Sequence, residues 1–166
     1  RFDDSYDFVL VDTQGTIGPL QDAAVLAGDV LVSPIPPEIL PAREFARGTL
    51  QMIERLKPMA HLGAPVGPLR GLIYRLDRTV DARRICRELR RETFGPSKGS
   101  ITILESDVPN TVAYREAATA REPVHRWEKA RQGPTRSGRA AMLSLVRELF
   151  PHVPADDTRL DAPRPA

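Results

Sequence analysis

Apolar residues come in short bursts, separated by turns rich in proline, glycine and charge. Four bursts are too short for helices: residues 8–11 (FVLV), 30–32 (VLV), 69–74 (LRGLIY) and 101–104 (ITIL). Each reads as a buried strand. Between them the period changes. Residues 20–26 form a short helix that Gly28 ends. Residues 42–57 carry Phe45, Thr49, Met52, Ile53 and Leu56 at three-to-four spacing, one apolar face of a helix stopped by Pro58. Residues 80–94 place Ala82, Ile85, Cys86 and Leu89 inward and arginines outward, and Gly95-Pro96 closes that helix. A short helix is expected over residues 112–120 and a last one over 137–150, with Met142, Leu145, Val146 and Leu149 on one face. The prolines of SPIPPEILP, residues 33–41, forbid a helix and break strand pairing, so a rigid loop is expected there. Residues 61–68, 105–110 and 121–136 read as loops or irregular chain.

Strands alternating with helices, each strand a short apolar run and the third interrupted by Arg70 and Gly71, indicate a mostly parallel sheet with flanking helices, an α/β fold. One domain is expected over residues 1–150 and a disordered tail over 151–166, where proline and aspartate replace periodicity. In such sheets ligands gather at the carboxyl ends of the strands. Those ends here are Asp12-Thr13-Gln14, residues 34–38, residues 75–77 and residues 105–110.

Composition narrows the function classes. A single cysteine, Cys86, excludes a disulfide framework and a cysteine-rich metal site. His61, His125 and His152 lack ligand spacing. No apolar run approaches the ~18 residues that span a bilayer. The acidic start, RFDDSYD, is not a signal peptide. It lacks an initiator methionine and meets a strand almost at once, so a segment upstream is expected. Net charge is only +2 but uneven. Arg70, Arg75, Arg78, Arg83, Arg84, Arg87, Arg90 and Arg91 stand against Asp77, Asp81, Glu88 and Glu92. Arginine suits phosphate because its planar fork makes paired hydrogen bonds. The same run also reads as a solvated helix face with internal ion pairs.

Two stretches carry a family resemblance. YDFVLVDTQGTIGPLQDAAVLAGDVLVSPIPPE resembles the Walker B region of ParA-type partition ATPases. ESDVPNTVAYREAATAREPVHRWE resembles that family's Ile-Pro-x-Asn/Arg-Val-x-x-x-Glu-Ala segment. The resemblance covers roughly residues 6–150 and implies a P-loop NTPase-like fold, incomplete at the N-terminus. Two departures stand out. The family's Asp-x-Pro-Pro is Asp12-Thr13-Gln14-Gly15 here, and no Gly-x-x-x-x-Gly-Lys-Ser/Thr loop occurs in the 166 residues.

The resemblance implies that Asp12 is the catalytic carboxylate, holding Mg²⁺ through a water while Mg²⁺ bridges the β- and γ-phosphates of ATP. Read locally, Asp12 equally caps a turn. Tyr74 and Arg75, with Asp107, Val108, Pro109 and Asn110, fall where the family holds adenine, largely by backbone groups. Thr13, Gln14, Gly15 and Glu38 fall on the dimer or switch loops; Glu38 also reads as a charge favouring the next helix's N-terminus. Arg115 and Arg121, then Arg83, Arg84, Arg87 and Arg91, are candidates for non-specific DNA binding through phosphates.

The function implied is ATP-dependent dimerisation and DNA binding in plasmid or chromosome partitioning, with a ParB-like partner, in the cytoplasm on the nucleoid. These 166 residues alone are expected not to hydrolyse ATP. A MinD-like membrane ATPase would end in a basic amphipathic helix, which ADDTRLDAPRPA is not. An iron–sulfur relative would need paired cysteines. The alternative from another class is a degenerate relative that binds DNA or protein without nucleotide.

Overall fold

The structure, a computed structural model, describes residues 6–13, 18–38, 45–94 and 101–153. Its centre is a parallel sheet of three strands, β1 (Leu31–Ile35), β2 (Leu69–Leu76) and β3 (Ile101–Pro109), in the order β1-β2-β3. Helix α1 (Pro19–Ala27) precedes β1. A π-helical turn (Phe45–Thr49), α2 (Leu50–Leu56) and a 3₁₀ turn (Lys57–Leu62) connect β1 to β2. Helix α3 (Val80–Phe94) connects β2 to β3, and α4 (Val112–Ala120), α5 (Val124–Trp127) and α6 (Gly138–Leu149) follow. The fold is α/β, a parallel sheet with flanking helices.

Alternation builds the core. Ile35 of β1, Leu69, Gly71 and Ile73 of β2, and Ile101 and Ile103 of β3 are buried. Apart from Gly71 they form one cluster with Phe45 and Ile53 on one connection and Ile85, Cys86 and Leu89 on α3. Gly71 makes this closeness possible, because a Cβ there would lie 2.5 Å from Ile103 Cδ1 and 2.9 Å from Ile35 Cδ1. Gly67 is more constrained. A Cβ would stand 2.5 Å from the Asp29 carbonyl oxygen, which belongs to the turn between α1 and β1. Leu31 N–H donates to the Pro68 carbonyl at 3.0 Å in the same crossing. Across the surface, Arg55 of α2 grips both carboxylate oxygens of Asp22 on α1, at 2.7 and 2.6 Å. Arg55's hydrogen bonds hold the Asp22 carboxyl below its ordinary range.

Four expectations are corrected. Residues 8–11 are not a buried strand: Phe8, Val9, Leu10 and Val11 are exposed, Leu10 at 91%. A strand needs a neighbour to take its backbone hydrogen bonds, and the described sheet supplies none to this run. The Phe8 ring instead meets Phe150 edge-on at 4.8 Å, just past α6. Second, Val30 and Val32 are exposed, and the strand runs on through Pro34 to Ile35. Proline is tolerated there because β1 is an edge strand of the described sheet, with one row of groups outside the ladder. Third, residues 105–109 continue β3 rather than opening a loop. Fourth, Pro58 does not end the helical path; it sits in the first turn of the 3₁₀ segment, where no N–H is needed, and Gly63 closes it at φ 81°. The start of the expected helix at residue 42 lies outside the described residues, as does the tail from 154.

The persistence of β3 has a physical reason. Strict alternation from Ile101 and Ile103 would carry Glu105 and Asp107 into the core, where unpaired charges are costly. The strand bulges instead: Gly71 pairs with Ile103, but Ile73 pairs with Asp107. Leu104 and Ser106 turn inward and Glu105 stays exposed.

Candidate functional site at the strand tips

The tips of β2 and β3 are tied together. Asn110 N–H donates to the Leu76 carbonyl at 3.0 Å, and Asn110 Nδ2 donates to Asp77 Oδ1 at 2.9 Å. A second register shift, between Tyr74 and Leu76 on β2, faces Val108 and Pro109. At its centre Arg75 adopts φ 56°, a left-handed conformation that costs a non-glycine residue about 1 kcal/mol. Its side chain is exposed. Bulges of this kind re-aim side chains beside functional sites. Pro109 is buried, Val108 and Tyr74 are half-buried, and Asn110 is exposed. Just past the tip, the Thr111 hydroxyl is buried without a protein partner at the mouth of α4.

The chain after α4 braces this end of β3. Arg136 pairs with Asp107 at 2.9 Å and also donates to the Asp107 carbonyl and the Ser144 hydroxyl. Glu128 accepts from the Gly138 amide at 2.7 Å and from Arg131, while Ser137 caps α6 through the Ala140 amide. Residues 121–136 therefore look irregular in sequence yet are pinned at Glu128, Arg131 and Arg136. Tyr114 is half-buried on α4, and its hydroxyl has no protein partner. Burial, with the negative charge of Glu128 adding to it, pushes this phenol up to about 12.

The candidates from sequence fall in three groups. Tyr74, Arg75, Asp107, Val108, Pro109 and Asn110 stand together at the β2 and β3 tips. Glu38 is exposed beyond the end of β1, in a tight turn closed by its own N–H on the Pro36 carbonyl at 2.8 Å. Asp12 and Thr13 are exposed in irregular chain, not at a strand tip, because the run before them is not a strand. Gln14 and Gly15 lie outside the described residues. Arg83, Arg84, Arg87 and Arg91 are exposed along α3, with Arg84 paired to Asp81 at 2.7 Å. Arg115 and Arg121 are exposed on α4, and Arg121 closes that helix at φ 56°.

Among the described residues no three His, Cys, Asp or Glu side chains cluster as a metal site would require. No helix among them is long and apolar enough to cross a membrane.

Three side chains carry a role at this end of the sheet that the sequence did not assign to them. Arg90, Arg136 and Glu148 lie on separate stretches of chain and converge on the β3 bulge. The signal was present in the adjacent apolar pair Ile103-Leu104, which breaks strict alternation and so marks a bulge.

Comparison with known proteins yields distant relatives. No family model matches the chain. Two uncharacterized proteins of Mycobacterium tuberculosis strains, Rv1708 and MT1749, are 29% identical to it over 151 residues. The match takes in 89% of this chain but 42% of theirs, so the chain spans less than half the length of these relatives. A solved chain described as a partition protein aligns over 58% of this chain and 30% of its own, at 19% identity and a TM-score of 0.40.

Proposed function

We propose that this chain is the C-terminal part of a ParA-like partition ATPase, and that the joined tips of β2 and β3 hold the base of ATP. One observation carries the reading. The segment Asp107–Asn110, which bears the family resemblance, lies at the carboxyl end of a parallel sheet, bonded to the tip of the neighbouring strand. That is where open α/β sheets bind nucleotides. The buried, unpartnered Thr111 hydroxyl beside Asn110 fits a site that receives a polar ligand.

In this reading the residues present do the positioning. Val108 and Pro109 offer a short apolar wall, while Asn110 and the neighbouring backbone offer hydrogen bonds to a base edge. Arg75 presents a cation at the rim. Asp12 would supply a carboxylate toward Mg²⁺ in the whole protein. Mg²⁺ would neutralise phosphate charge. ATP-linked dimerisation, a ParB-like partner and nucleoid localisation belong to the same proposal. The exposed arginines of α3 and α4 neutralise DNA phosphates without reading bases.

The test is binding of Mg²⁺·ATP and of random-sequence duplex DNA to the full-length protein. Saturable ATP binding that strengthens DNA binding supports the reading, and Asp12→Ala is expected to abolish hydrolysis. DNA binding indifferent to nucleotide favours the degenerate relative, a reading supported by the exposed, irregular setting of Asp12.

A further inference from the structure

Leu104, Glu105 and Ser106 leave the β2–β3 ladder, so their backbone groups need other partners. Side chains from two helices supply them. Glu148 of α6 accepts the Glu105 amide at 2.8 Å on one carboxylate oxygen and the Ser106 amide at 2.7 Å on the other. Arg90 of α3 donates to the Leu104 carbonyl at 2.8 Å and the Glu105 carbonyl at 3.1 Å. The buried Ser106 hydroxyl meets Ser144 Oγ at 2.9 Å. Partial burial disfavours the Glu148 anion, but the bonds from Ser106 and Glu105, with the Arg90 charge, outweigh it and hold its carboxyl below the ordinary range.

The bulge sets the register of the remainder of β3. Its extra residues set Asp107 opposite Ile73 and Val108 opposite Tyr74; the second shift at Arg75, built on that register, sets Pro109 opposite Leu76 and brings Asn110 onto the Leu76 carbonyl. We infer that Glu148, with Arg90, is a positioning residue for the strand-tip site: it locks the β3 bulge and thereby fixes Asn110 against β2. Only the ligand in this inference rests on the proposed function; the positioning is read without nucleotide.

The experiment is residue-level hydrogen exchange on the full-length protein, wild type against Glu148→Ala and Glu148→Gln. In Glu148→Ala the Glu105 and Ser106 amides exchange at least about tenfold faster, because both lose a charged acceptor. The Asn110 amide accelerates with them, while β1–β2 ladder amides keep their wild-type rates. Glu148→Gln retains one acceptor oxygen and gives a smaller effect at all three positions. Affinity for a fluorescent ATP analogue falls about tenfold in Glu148→Ala and is partly restored in Glu148→Gln. Unchanged exchange at Glu105 and Ser106 overturns the inference. So does acceleration there with Asn110 unmoved, since Glu148 would then act only locally. If Glu148→Ala also loosens the β1–β2 ladder, the Asn110 rate in Glu148→Gln decides. A wild-type protein that does not bind the analogue defeats the proposed function, and the Asn110 amide still judges the positioning.

Discussion

The start of the first stretch that carries the family resemblance and the second such stretch meet different fates in the fold. Residues 101–117 are built in: β3 pairs along β2, Asp107 meets Arg136, Asn110 meets Leu76 and Asp77, and Ala113 and Ala117 are buried. Residues 8–13 are equally apolar before their aspartate, yet they are exposed and form no strand. Hydrophobic sequence makes a strand only where a neighbouring backbone completes its hydrogen bonds. The second motif has that neighbour in β2. Residues 8–13 have none among the described residues, and Asp12 stands exposed in irregular chain.

The comparison can be broken most strongly at the packed end. Gly67→Ala drives a methyl group into the Asp29 backbone and is expected to cost about 3 kcal/mol by denaturant unfolding. Ile73→Ala, at a fully buried position, costs a similar ~3 kcal/mol. Leu10→Ala in the first motif changes stability by less than about 0.5 kcal/mol. A large loss there would show that residues 8–11 are packed after all.

A smaller effect sharpens the picture at the strand tips. Asn110→Ala removes the side-chain bond to Asp77 but keeps the backbone bond to Leu76, and is expected to cost about 1 kcal/mol. Tyr114 gives a pH signature. Its folded value, raised to about 12, lies above the ordinary phenol value of 10. The contribution is therefore complete below pH 10 and is lost as pH rises from 10 toward 12. Tyr114→Phe should flatten that part of the stability–pH curve and, by removing an unpartnered hydroxyl, leave neutral-pH stability undiminished. Carboxylates act at the other end of the scale. Glu148, held below its ordinary 4.5, contributes above that value and stops contributing as pH falls through its folded one.

Another small effect has the opposite sign. Arg121 sits at a left-handed helix end where glycine carries no steric cost, so Arg121→Gly is expected to stabilise the protein by about 0.5 kcal/mol. If Arg121 contacts DNA phosphate, the same variant binds duplex DNA several-fold more weakly and with a shallower salt dependence. A variant that gains stability and keeps its DNA affinity removes Arg121 from the interface.

Much of the fold was legible because period alone carries it. The one-sided helix of residues 80–94 and the apolar run of 69–74 match α3 and most of β2. What escaped depends on distant partners. That residues 105–109 extend β3 is decided by Arg90, Arg136 and Glu148, two of them far along the chain, and only the doublet Ile103-Leu104 hints at it. Pro34 inside β1 was hidden because edge or interior is settled by sheet order, not by the residues of the strand. The grouping of residues 74–75 with 107–110 came from the family resemblance, while the carboxyl ends of parallel strands pointed to residues 75–77 and 105–110 among others. The exposure of Asp12 could not be read from either, since it depends on which strands stand beside it.

The most direct test of the central claim is a hydrogen-exchange footprint of Mg²⁺·ATP on the full-length protein. The account predicts that nucleotide slows exchange at residues 75–77 and 108–111, with DNA affinity rising in parallel. Bound ATP that leaves both strand tips exchanging at their free rates would contradict it.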